Sequence, residues 1–403
     1  MMSVLILQKM RENRPWFSMS LMKSMYIYHM FFAGVYYAFA MASRSDSISY
    51  YYKAKYEYEY WMEIYATGTP FIEWVAFPFV NYLGFNYEMM MVLFAWLGFF
   101  GFVYFYIIFK ENIKFKHKLF TNLHWGEKSL GVDLVALFIF LPNMHYWTSS
   151  LGKGSIIFLG LAMAFYGISN MAKRKGTLIL GLLIVYHVRP HVFLFMAIGI
   201  IVGLFTGRQK VPFYQKAIVF GGSAIALILM YNTILSFVGL DSENLVQSFD
   251  KFSTTRSYEL SKAGSGMDIS NYPLILKLFT FWFRPLFVDA PGAIGLIVSF
   301  ENMIYLILTA KLFRGGFFPF LRKSSALLKT GAVVFLATSF ALSGTLSNMG
   351  IIVRQKSMVM YFFLFIILAF LDYKKEEEAA KEKRALQRRQ EEELQLAKIA
   401  NPV

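Results

Sequence analysis

Four charged residues lie within or at the end of long apolar stretches of the sequence: Arg189, Arg284, Glu301 and Arg354. An ionisable side chain inside a bilayer costs at least about 2.5–3.5 kcal/mol on insertion scales, so each of these residues is a candidate for function. Guanidinium groups present rigid, paired donors to phosphate oxygens. Several arginines near one face of a membrane therefore predict a binding site for a polyanion.

Other polar residues could complete such a site. Arg189 is followed by a proline that opens the helix and is flanked by two histidines, of which His191 is the second. His145 and Lys153 flank a segment rich in hydroxyl groups, and Arg256 lies in the longest polar segment between apolar runs. Nearby aromatic side chains would suit sugar rings or an isoprenoid chain: Tyr146, Trp147, Phe281, Trp282 and Phe283.

Each candidate also has a structural explanation. Arg284 and Arg354 could be residues at helix ends whose charged groups reach the lipid headgroups. Glu301 could be a structural partner of Arg284 or Arg189. His145 and Lys153 could be interfacial anchors, and a solvated surface charge is the ordinary explanation for a residue such as Arg256. Arg189, inside an apolar run, is the hardest of them to explain structurally.

The elements that position these residues must be membrane helices. The chain has 403 residues, of which 57% are hydrophobic and 16% charged, and its mean hydropathy is +0.47. Soluble chains average about 25% charged residues, and each membrane helix needs roughly 20 apolar residues. Such runs recur along the chain, whereas the alternating segments of a membrane barrel do not. We therefore predict an all-α, polytopic integral membrane protein.

Composition also excludes several kinds of function. The net charge of +15 matches basic cytoplasmic loops, and we expect no nucleic-acid partner. Without cysteine there is no thiol chemistry, and the six histidines show no metal-binding spacing, so no metal site is predicted. Phosphate-binding loops, dinucleotide-binding fingerprints and Asp-x-Asp motifs are missing from the sequence, so no cofactor and no nucleotide-sugar donor are indicated.

The apolar runs predict about ten transmembrane or half-membrane helices. A re-entrant segment is expected at Phe71–Phe85, and the run Thr177–Phe205 is expected to double back at a break near Arg189, because both of its ends are basic. The remaining predicted spans are Met25–Ala42, Tyr87–Phe109, Val132–Leu141, Ser155–Met171, Ala217–Leu240, Pro291–Phe313, Thr330–Ser343 and Ser357–Leu371.

This arrangement places both termini in the cytoplasm, as a basic tail at 1–23 and a charged helix at 372–403, with the membrane domain at 24–371 between them. The basic loops then share the cytoplasmic side: 110–128, 173–175, 208–216 and 314–329. Arg189 and three less basic segments share the outer side: 143–153, 241–290 and 344–356. The charged C-terminal helix lacks a continuous apolar seam, and it could contact protein partners.

The order of the motifs resembles a family of bacterial polysaccharide-assembly proteins, the Wzy- and EpsG-type polymerases. The resemblance covers about Gly68 to Leu371 and is most specific at Pro-Asn-Met-His-Tyr-Trp-Thr-Ser-Ser-Leu-Gly-Lys153 and at Phe-Arg284-Pro followed by Glu301-Asn302. His-Val-Arg189-Pro-His and Asn-Met-Gly-Ile-Ile-Val-Arg354-Gln complete it.

The resemblance implies glycan transfer at the outer face of the bacterial inner membrane. An oligosaccharide on a polyprenyl diphosphate would pass to a hydroxyl group of the next lipid-linked unit, with membrane lipids around the site. Such a reaction needs stabilisation of the departing diphosphate and a base for the acceptor. Arginines would serve the first role and Glu301 or His145 the second, and Arg189 is counted as a catalytic residue together with Glu301 and His145. The expected substrate-binding residues are Arg189, Arg284, Arg354, Arg256, Lys153, His191, Trp147 and Trp282.

Three other functions remain open. One is a ligase, which would differ from a polymerase in its acceptor. Another is a flippase or transporter of lipid-linked glycans, although transporters commonly have broken helices in matching halves, and Arg189-Pro190 has no obvious counterpart in this sequence. The third is a non-catalytic subunit of a cell-envelope machine, with the charged helix as its docking element.

Overall fold

The structure, a computed structural model, describes residues 2–43, 45–121, 131–208 and 292–400, most of 212–225 and 266–290, and a few positions in between. Side chains are described as far as residue 393. Arg256 lies outside the described residues, and so does most of the predicted span Ala217–Leu240.

The described chain is predominantly helical, as the predicted all-α class requires. Between the fifth and sixth helices, two short antiparallel strand pairs form, Lys118–Leu119 with Val132–Asp133 and His124–Trp125 with Lys128–Ser129. The helices are α1 (Met2–Arg11), α2 (Met19–Ala42), α3 (Asp46–Tyr56), α4 (Thr69–Phe77), α5 (Tyr87–Asn112), α6 (Leu134–Ile139), α7 (Pro142–Thr148), α8 (Lys153–Ser169), α9 (Lys175–Val188), α10 (Pro190–Thr206), α11 (Leu274–Phe283), α12 (Gly292–Ala310), α13 (Phe317–Lys323), α14 (Ala326–Thr345) and α15 (Met349–Ala400).

Among the described residues, four helices are long and apolar enough to cross a membrane: Tyr87–Asn112, Gly292–Phe313, Ala326–Thr345 and Met349–Glu393. Five shorter apolar helical stretches accompany them: Leu134–Thr148, Lys153–Ser169, Lys175–Val188, Pro190–Thr206 and Leu274–Phe283. At about 1.5 Å per residue, none of these five reaches the roughly 30 Å of a bilayer core. The apolar helices thus indicate a membrane protein, with four helices of spanning length in the described residues against the about ten transmembrane or half-membrane helices predicted from the sequence.

Two predicted segments are formed by short helices in the structure. The predicted span Val132–Leu141 contains only the six-residue helix α6, which follows the strand at Val132–Asp133, and Pro142 begins the separate helix α7 after the extended Leu141. The predicted re-entrant segment Phe71–Phe85 forms α4 and then a single π-helical turn at Pro78–Tyr82. Neither segment forms a continuous helix of spanning length.

Polar residues at the start of the apolar helices explain where these helices begin. The side chain of Asn86 accepts a hydrogen bond from the backbone of Met89 at the start of α5. Ser325 accepts from the backbone of Leu328 in the same way at the start of α14. Such caps satisfy backbone N–H groups that the first helical turn leaves without partners.

Helices α9 and α10 form a hairpin whose turn is Arg189. Helix α9 runs antiparallel to α8, since a Cβ atom at Gly167 would lie 2.5 Å from Leu178 Cβ and one at Gly160 would lie 2.7 Å from Ile184 Cγ2. These close approaches require glycine. Arg189 has extended rather than helical backbone angles (φ −148°, ψ 87°), and Pro190 starts α10.

The return of α10 is fixed by α14. A Cβ atom at Gly199 would lie 2.9 Å from Val334 Cγ2 near the middle of α14, and one at Gly207 would lie 2.7 Å from Ala326 at its start. Gly331 of α14 approaches Phe165 near the end of α8. The start of α14 and the end of α8 therefore lie at one end of the bundle, and Arg189 lies at the other.

The core of the bundle is aromatic and joins α5, α8 and α15. The ring of Phe105 lies 4.7 Å from that of Tyr361 and 5.3 Å from that of Phe158, centroid to centroid. All three side chains are buried, and such ring pairs stabilise a core beyond their buried area. These contacts hold α15, which bears Arg354, against the helices that surround Arg189.

The last helix continues without a break from the membrane domain into the charged C-terminal segment. The carboxylate of Asp372 accepts hydrogen bonds from the backbone N–H groups of Lys114 (3.0 Å) and Phe115 (2.8 Å), and it lies 3.1 Å from His117 Nε2. Residues 378–393 beyond this contact are exposed. The charged segment is therefore an extension of the last span.

Candidate functional site

A cavity of about 840 Å³ opens at the end of the bundle where Arg189 lies. Its wall is formed by α3, α4, the end of α7, the first turn of α8, the start of α10, the end of α14 and the start of α15. This volume is in the range of sites that bind small molecules. The cavity is the place where the structure brings distant motifs of the sequence together.

Three cationic side chains predicted as binding residues line this cavity: Arg189, Lys153 and Arg354. Arg189 Nη1 donates to Gln355 Oε1 at 3.3 Å, and its buried Nε has no hydrogen-bond partner among the described residues. A buried donor without a partner costs free energy. This donor is therefore available to an anionic ligand.

Lys153 is held by a tight turn between α7 and α8. A Cβ atom at Gly154 would lie 2.1 Å from the backbone oxygen of Trp147, so glycine is required for the close approach. Trp147 lines the cavity as well, and the guanidinium of Arg354 lies 5.8 Å from the centre of its ring. The turn thus places Lys153 and Trp147 beside Arg354 of α15 in the cavity wall.

Arg354 has an acidic partner in the cavity wall. Its Nη1 donates to Asp46 Oδ2 at 3.0 Å, and the two side chains are 38% and 61% exposed. Exposed ion pairs of this kind contribute little to stability. An entering anion could therefore compete with Asp46 for Arg354 at small cost.

Tyr50 of α3 also lines the cavity, and burial together with the nearby Asp46 carboxylate raises the pKa of its hydroxyl to about 12. The hydroxyl therefore stays protonated at neutral pH and can donate a hydrogen bond. Lys53, one helical turn later, lines the same wall. Helix α3 therefore contributes a neutral donor and a cation to the cavity.

One part of the cavity wall is apolar. It is formed by side chains of α10, α14 and α15 and the connection between the last two: Leu194, Phe195, Leu342, Leu346 and Met358. His191, a predicted binding residue, also lines the cavity. Cationic and apolar surfaces thus meet in one cavity, as a ligand with an anionic head and a hydrocarbon chain would require.

A buried carboxylate completes the polar wall. Glu73 of α4 is 1% exposed and lines the cavity. Its Oε2 accepts from the hydroxyl of Tyr58 at 2.6 Å, whereas its Oε1 has no hydrogen-bond partner in the described part of the chain. The sequence alone did not assign Glu73 to the site.

Glu301 lies in a separate buried cluster and is not among the residues that line the cavity. Its Oε2 accepts from the backbone N–H of Asn143 at 3.0 Å, and its Oε1 accepts from the hydroxyl of Tyr305. Glu301 pairs with neither Arg189 nor Arg284 in the described structure. The hydrogen bond from Asn143 connects α12 to the start of α7.

Lys356 belongs to the same buried cluster and was missed by sequence reasoning. Its ammonium group donates to the backbone oxygen of Arg284 at 2.9 Å and to Asn302 Oδ1. Asn302 Nδ2 in turn donates to the backbone oxygen of Pro285 at 2.7 Å. The cluster therefore satisfies carbonyl groups left free where α11 ends.

Arg284 and Trp282 lie outside the cavity wall. The guanidinium of Arg284 is paired with Asp289 five residues later. Trp282 donates from Nε1 to Ser339 Oγ at 2.8 Å and stacks on Phe335, with ring centres 5.4 Å apart. Both side chains thus have structural partners where α11 meets α14 and the turn before α12.

His145 is buried beneath the cavity, and both of its ring nitrogens have neighbours. Its Nε2 lies 2.7 Å from the backbone oxygen of Ile139, and its Nδ1 lies 2.9 Å from Nδ1 of His29. The ring stacks on Phe102 with centres 3.9 Å apart. These contacts give His145 a packing role between α2, α5 and α7, away from the cavity lining.

Comparisons with known proteins identified no relative of this chain. No protein-family model matches the chain, and no curated protein or solved structure matches it significantly. The described residues also contain no group of three or more histidine, aspartate or glutamate side chains placed to hold a metal ion. The function must therefore be inferred from the cavity and its chemistry.

Proposed function

We propose that the protein is a membrane glycosyltransferase of the polysaccharide-polymerase kind, which joins oligosaccharide units carried on a polyprenyl diphosphate. The observation that supports this proposal is the joint presence of Arg189, Arg354 and Lys153 in one cavity. Guanidinium and ammonium groups are the usual protein ligands of phosphate oxygens. The apolar wall beside them suits the first isoprene units of the carrier lipid.

In this proposal the three cations stabilise the negative charge that grows on the diphosphate as it leaves the sugar. Trp147 and the hydroxyl groups of the α7–α8 turn contact the sugar residue next to the diphosphate. The donor is already activated by its diphosphate, so the transfer itself uses no nucleotide. The same cavity suits a ligase, which differs in the acceptor that it takes.

The orientation that goes with this function places the cavity at the outer face of a bacterial inner membrane. The opposite end of the bundle contains the turn between α8 and α9, with Lys173, Arg174 and Lys175. Basic residues concentrate in cytoplasmic loops, which favours the cavity end as the outer one. The charged end of α15 then lies in the cytoplasm, where protein partners can reach it.

The test is replacement of the cavity arginines in the native host, with Arg189→Ala and Arg354→Ala as separate variants. Arg384→Ala, in the exposed part of α15, is the matched control. We expect single repeat units to accumulate on the carrier lipid in both cavity variants and normal glycan length in the control. Normal glycan length in both cavity variants, with normal amounts of inserted protein, would contradict the proposal.

Binding can be measured separately with the purified full-length protein in lipid nanodiscs and undecaprenyl diphosphate as the probe. A hydrogen bond to a charged group contributes about 1.5–3 kcal/mol, so loss of one arginine should weaken binding about 10-fold to 100-fold. Quenching of tryptophan fluorescence is a suitable signal, because Trp147 lies in the cavity wall. A transporter would bind the probe equally well, and only the accumulation of unjoined units on the outer face indicates a transferase.

A further inference from the structure

Glu73 is a buried acidic residue in the wall of a cavity that otherwise presents cations. One of its carboxylate oxygens is hydrogen-bonded to Tyr58, and the other has no partner in the described residues. Burying a carboxylate oxygen without a hydrogen bond is costly. No contact within the described structure offsets this cost, whereas a hydroxyl group of a ligand in the cavity would.

The position of Glu73 relative to Arg189 is fixed by aromatic packing. Phe71 of α4 stacks on His187 at the end of α9, with ring centres 4.9 Å apart, and on Trp74 at 5.6 Å. The backbone N–H of Gly68, just before α4, donates to the backbone oxygen of His187 at 2.7 Å. Helix α4 is thus attached to α9 two residues before Arg189, and such support keeps reacting groups in a fixed geometry.

We propose that Glu73 is the general base of the transfer reaction, an inference that rests on the proposed function. Its free oxygen takes the proton of the acceptor sugar's hydroxyl group while that hydroxyl oxygen attacks the anomeric carbon of the donor sugar. The bond between the anomeric carbon and the diphosphate oxygen breaks, and its electron pair stays on the diphosphate. The products are a new glycosidic bond, polyprenyl diphosphate and protonated Glu73, which then loses its proton to water.

The other acidic residues near the site are less suited to this role. Both oxygens of Glu301 are hydrogen-bonded in the buried cluster away from the cavity. Asp46 lines the cavity but is paired with Arg354 and is 61% exposed. Glu73 alone among the three combines burial, a place in the cavity wall and an oxygen without a partner.

Tyr58 is a positioning residue in this proposal. Its hydroxyl donates to Oε2 of Glu73 at 2.6 Å, which leaves Oε1 as the oxygen that meets the acceptor. Together, burial and the Glu73 carboxylate raise the pKa of the Tyr58 hydroxyl, so it remains a donor throughout the reaction.

The decisive comparison is between Glu73→Gln and Glu73→Asp, with activity expressed per molecule of inserted protein. Glutamine keeps the size and the hydrogen bond from Tyr58 but cannot take a proton, whereas aspartate can take a proton from a shorter side chain. We expect polymerisation to fall about 100-fold or more with glutamine, the usual effect of losing a general base. Aspartate should retain more activity than glutamine. Equal or greater activity with glutamine would overturn the proposal.

A matched control is Glu88→Gln. Glu88 also accepts a hydrogen bond from a tyrosine, the hydroxyl of Tyr37 at 2.8 Å, but it does not line the cavity. This variant should polymerise normally. A loss in Glu88→Gln as large as that in Glu73→Gln would show that any change of this kind disrupts the protein, and it would also overturn the proposal.

Binding of undecaprenyl diphosphate separates this inference from the function on which it rests. Glu73→Gln should bind this probe at least as tightly as the unaltered protein, because it removes a negative charge from the cavity and the base does not contact the diphosphate, whereas Arg189→Ala should bind it more weakly. If Glu73→Gln polymerises normally while Arg189→Ala does not, the base assignment fails and the proposed function stands. If Arg189→Ala and Arg354→Ala both polymerise normally, the proposed function fails and the base assignment fails with it.

Discussion

At the residue scale, the buried ammonium group of Lys356 determines how the end of α11 is held. Lys356 is fully buried and donates to the backbone oxygen of Arg284 and to Asn302. Buried charges persist in proteins when hydrogen bonds and opposite charges offset their desolvation. Glu301, in the same cluster, supplies the opposite charge. The cluster therefore holds the connection between α11 and α12 against α15.

Replacing this lysine with an apolar side chain of similar length should destabilise the protein without emptying the cavity. Lys356→Met leaves the backbone oxygen of Arg284 and Oδ1 of Asn302 without the donor that the ammonium group supplies, and each unsatisfied group costs about 1–3 kcal/mol. We expect a lower midpoint of thermal unfolding in nanodiscs. Lys383→Met, an exposed change in the same helix, should leave the midpoint unchanged; an equal fall in both variants would count against a role for the buried cluster.

His145 provides a second expectation at this scale, because both of its ring nitrogens are engaged inside the bundle. His145→Leu leaves the backbone oxygen of Ile139 without a donor and should lower the unfolding midpoint. The binding of undecaprenyl diphosphate per folded molecule should persist, since His145 does not line the cavity. A selective loss of polymerisation with unchanged stability would instead restore His145 as a catalytic candidate.

At the element scale, the direction of α9 depends on glycines that face α8. A Cβ atom at Gly181 would lie 2.4 Å from the backbone nitrogen of Ala164 and 2.7 Å from the backbone oxygen of Gly160. Backbone atoms cannot move aside as a flexible side chain can. The two helices must therefore separate if Gly181 gains a side chain, and the turn at Arg189 must move with them.

Gly181→Ala is accordingly expected to destabilise the protein by about 1–3 kcal/mol, the usual cost of an overpacked core. The control is Gly176→Ala in the first turn of the same helix, where an added Cβ atom would meet nothing within 4 Å. Alanine has the higher helix propensity, so this control should be neutral or stabilising. The measurement is the midpoint of thermal unfolding of each variant in nanodiscs. Equal midpoints for the two variants would contradict the close packing of α8 and α9.

The boundaries of the helices could be predicted from the sequence only in part. The break at Arg189 was predictable because a charge and a proline interrupt an apolar run with basic ends, and the structure shows the chain doubling back there. The shortness of α6 was not predictable, since the apolar pattern runs from Val132 to Leu141 whereas the helix covers only Leu134–Ile139.

Only those residues of the site that stand out in a local sequence pattern were predicted. Arg189, Lys153 and Arg354 were found because a cation next to an apolar run is conspicuous in any sequence. Glu73 and Lys356 gain their importance from partners that tertiary packing supplies, such as the contact between Lys356 and Arg284, 72 positions apart. No local pattern contains that information.

At the scale of the whole molecule, the charged end of α15 is separable from the membrane domain. Residues 378–393 are exposed, whereas Asp372 fixes the helix to the loop after α5. A chain that ends after Glu377 keeps this contact, so it should retain its unfolding midpoint and its affinity for undecaprenyl diphosphate. Asp372→Asn, which weakens the charged hydrogen bonds, should lower the midpoint. A truncated chain that fails to insert would show that the exposed segment supports the membrane domain.

The continuity of α15 has a mechanical consequence. One helix bears Arg354 beside the cavity and, 39 positions later, Glu393 in the exposed segment, a length of about 58 Å at 1.5 Å per residue. An α-helix with its backbone hydrogen bonds intact transmits rotation and axial displacement along its length. A force or torque applied at Glu393 would therefore shift Arg354 and, with it, the wall of the cavity.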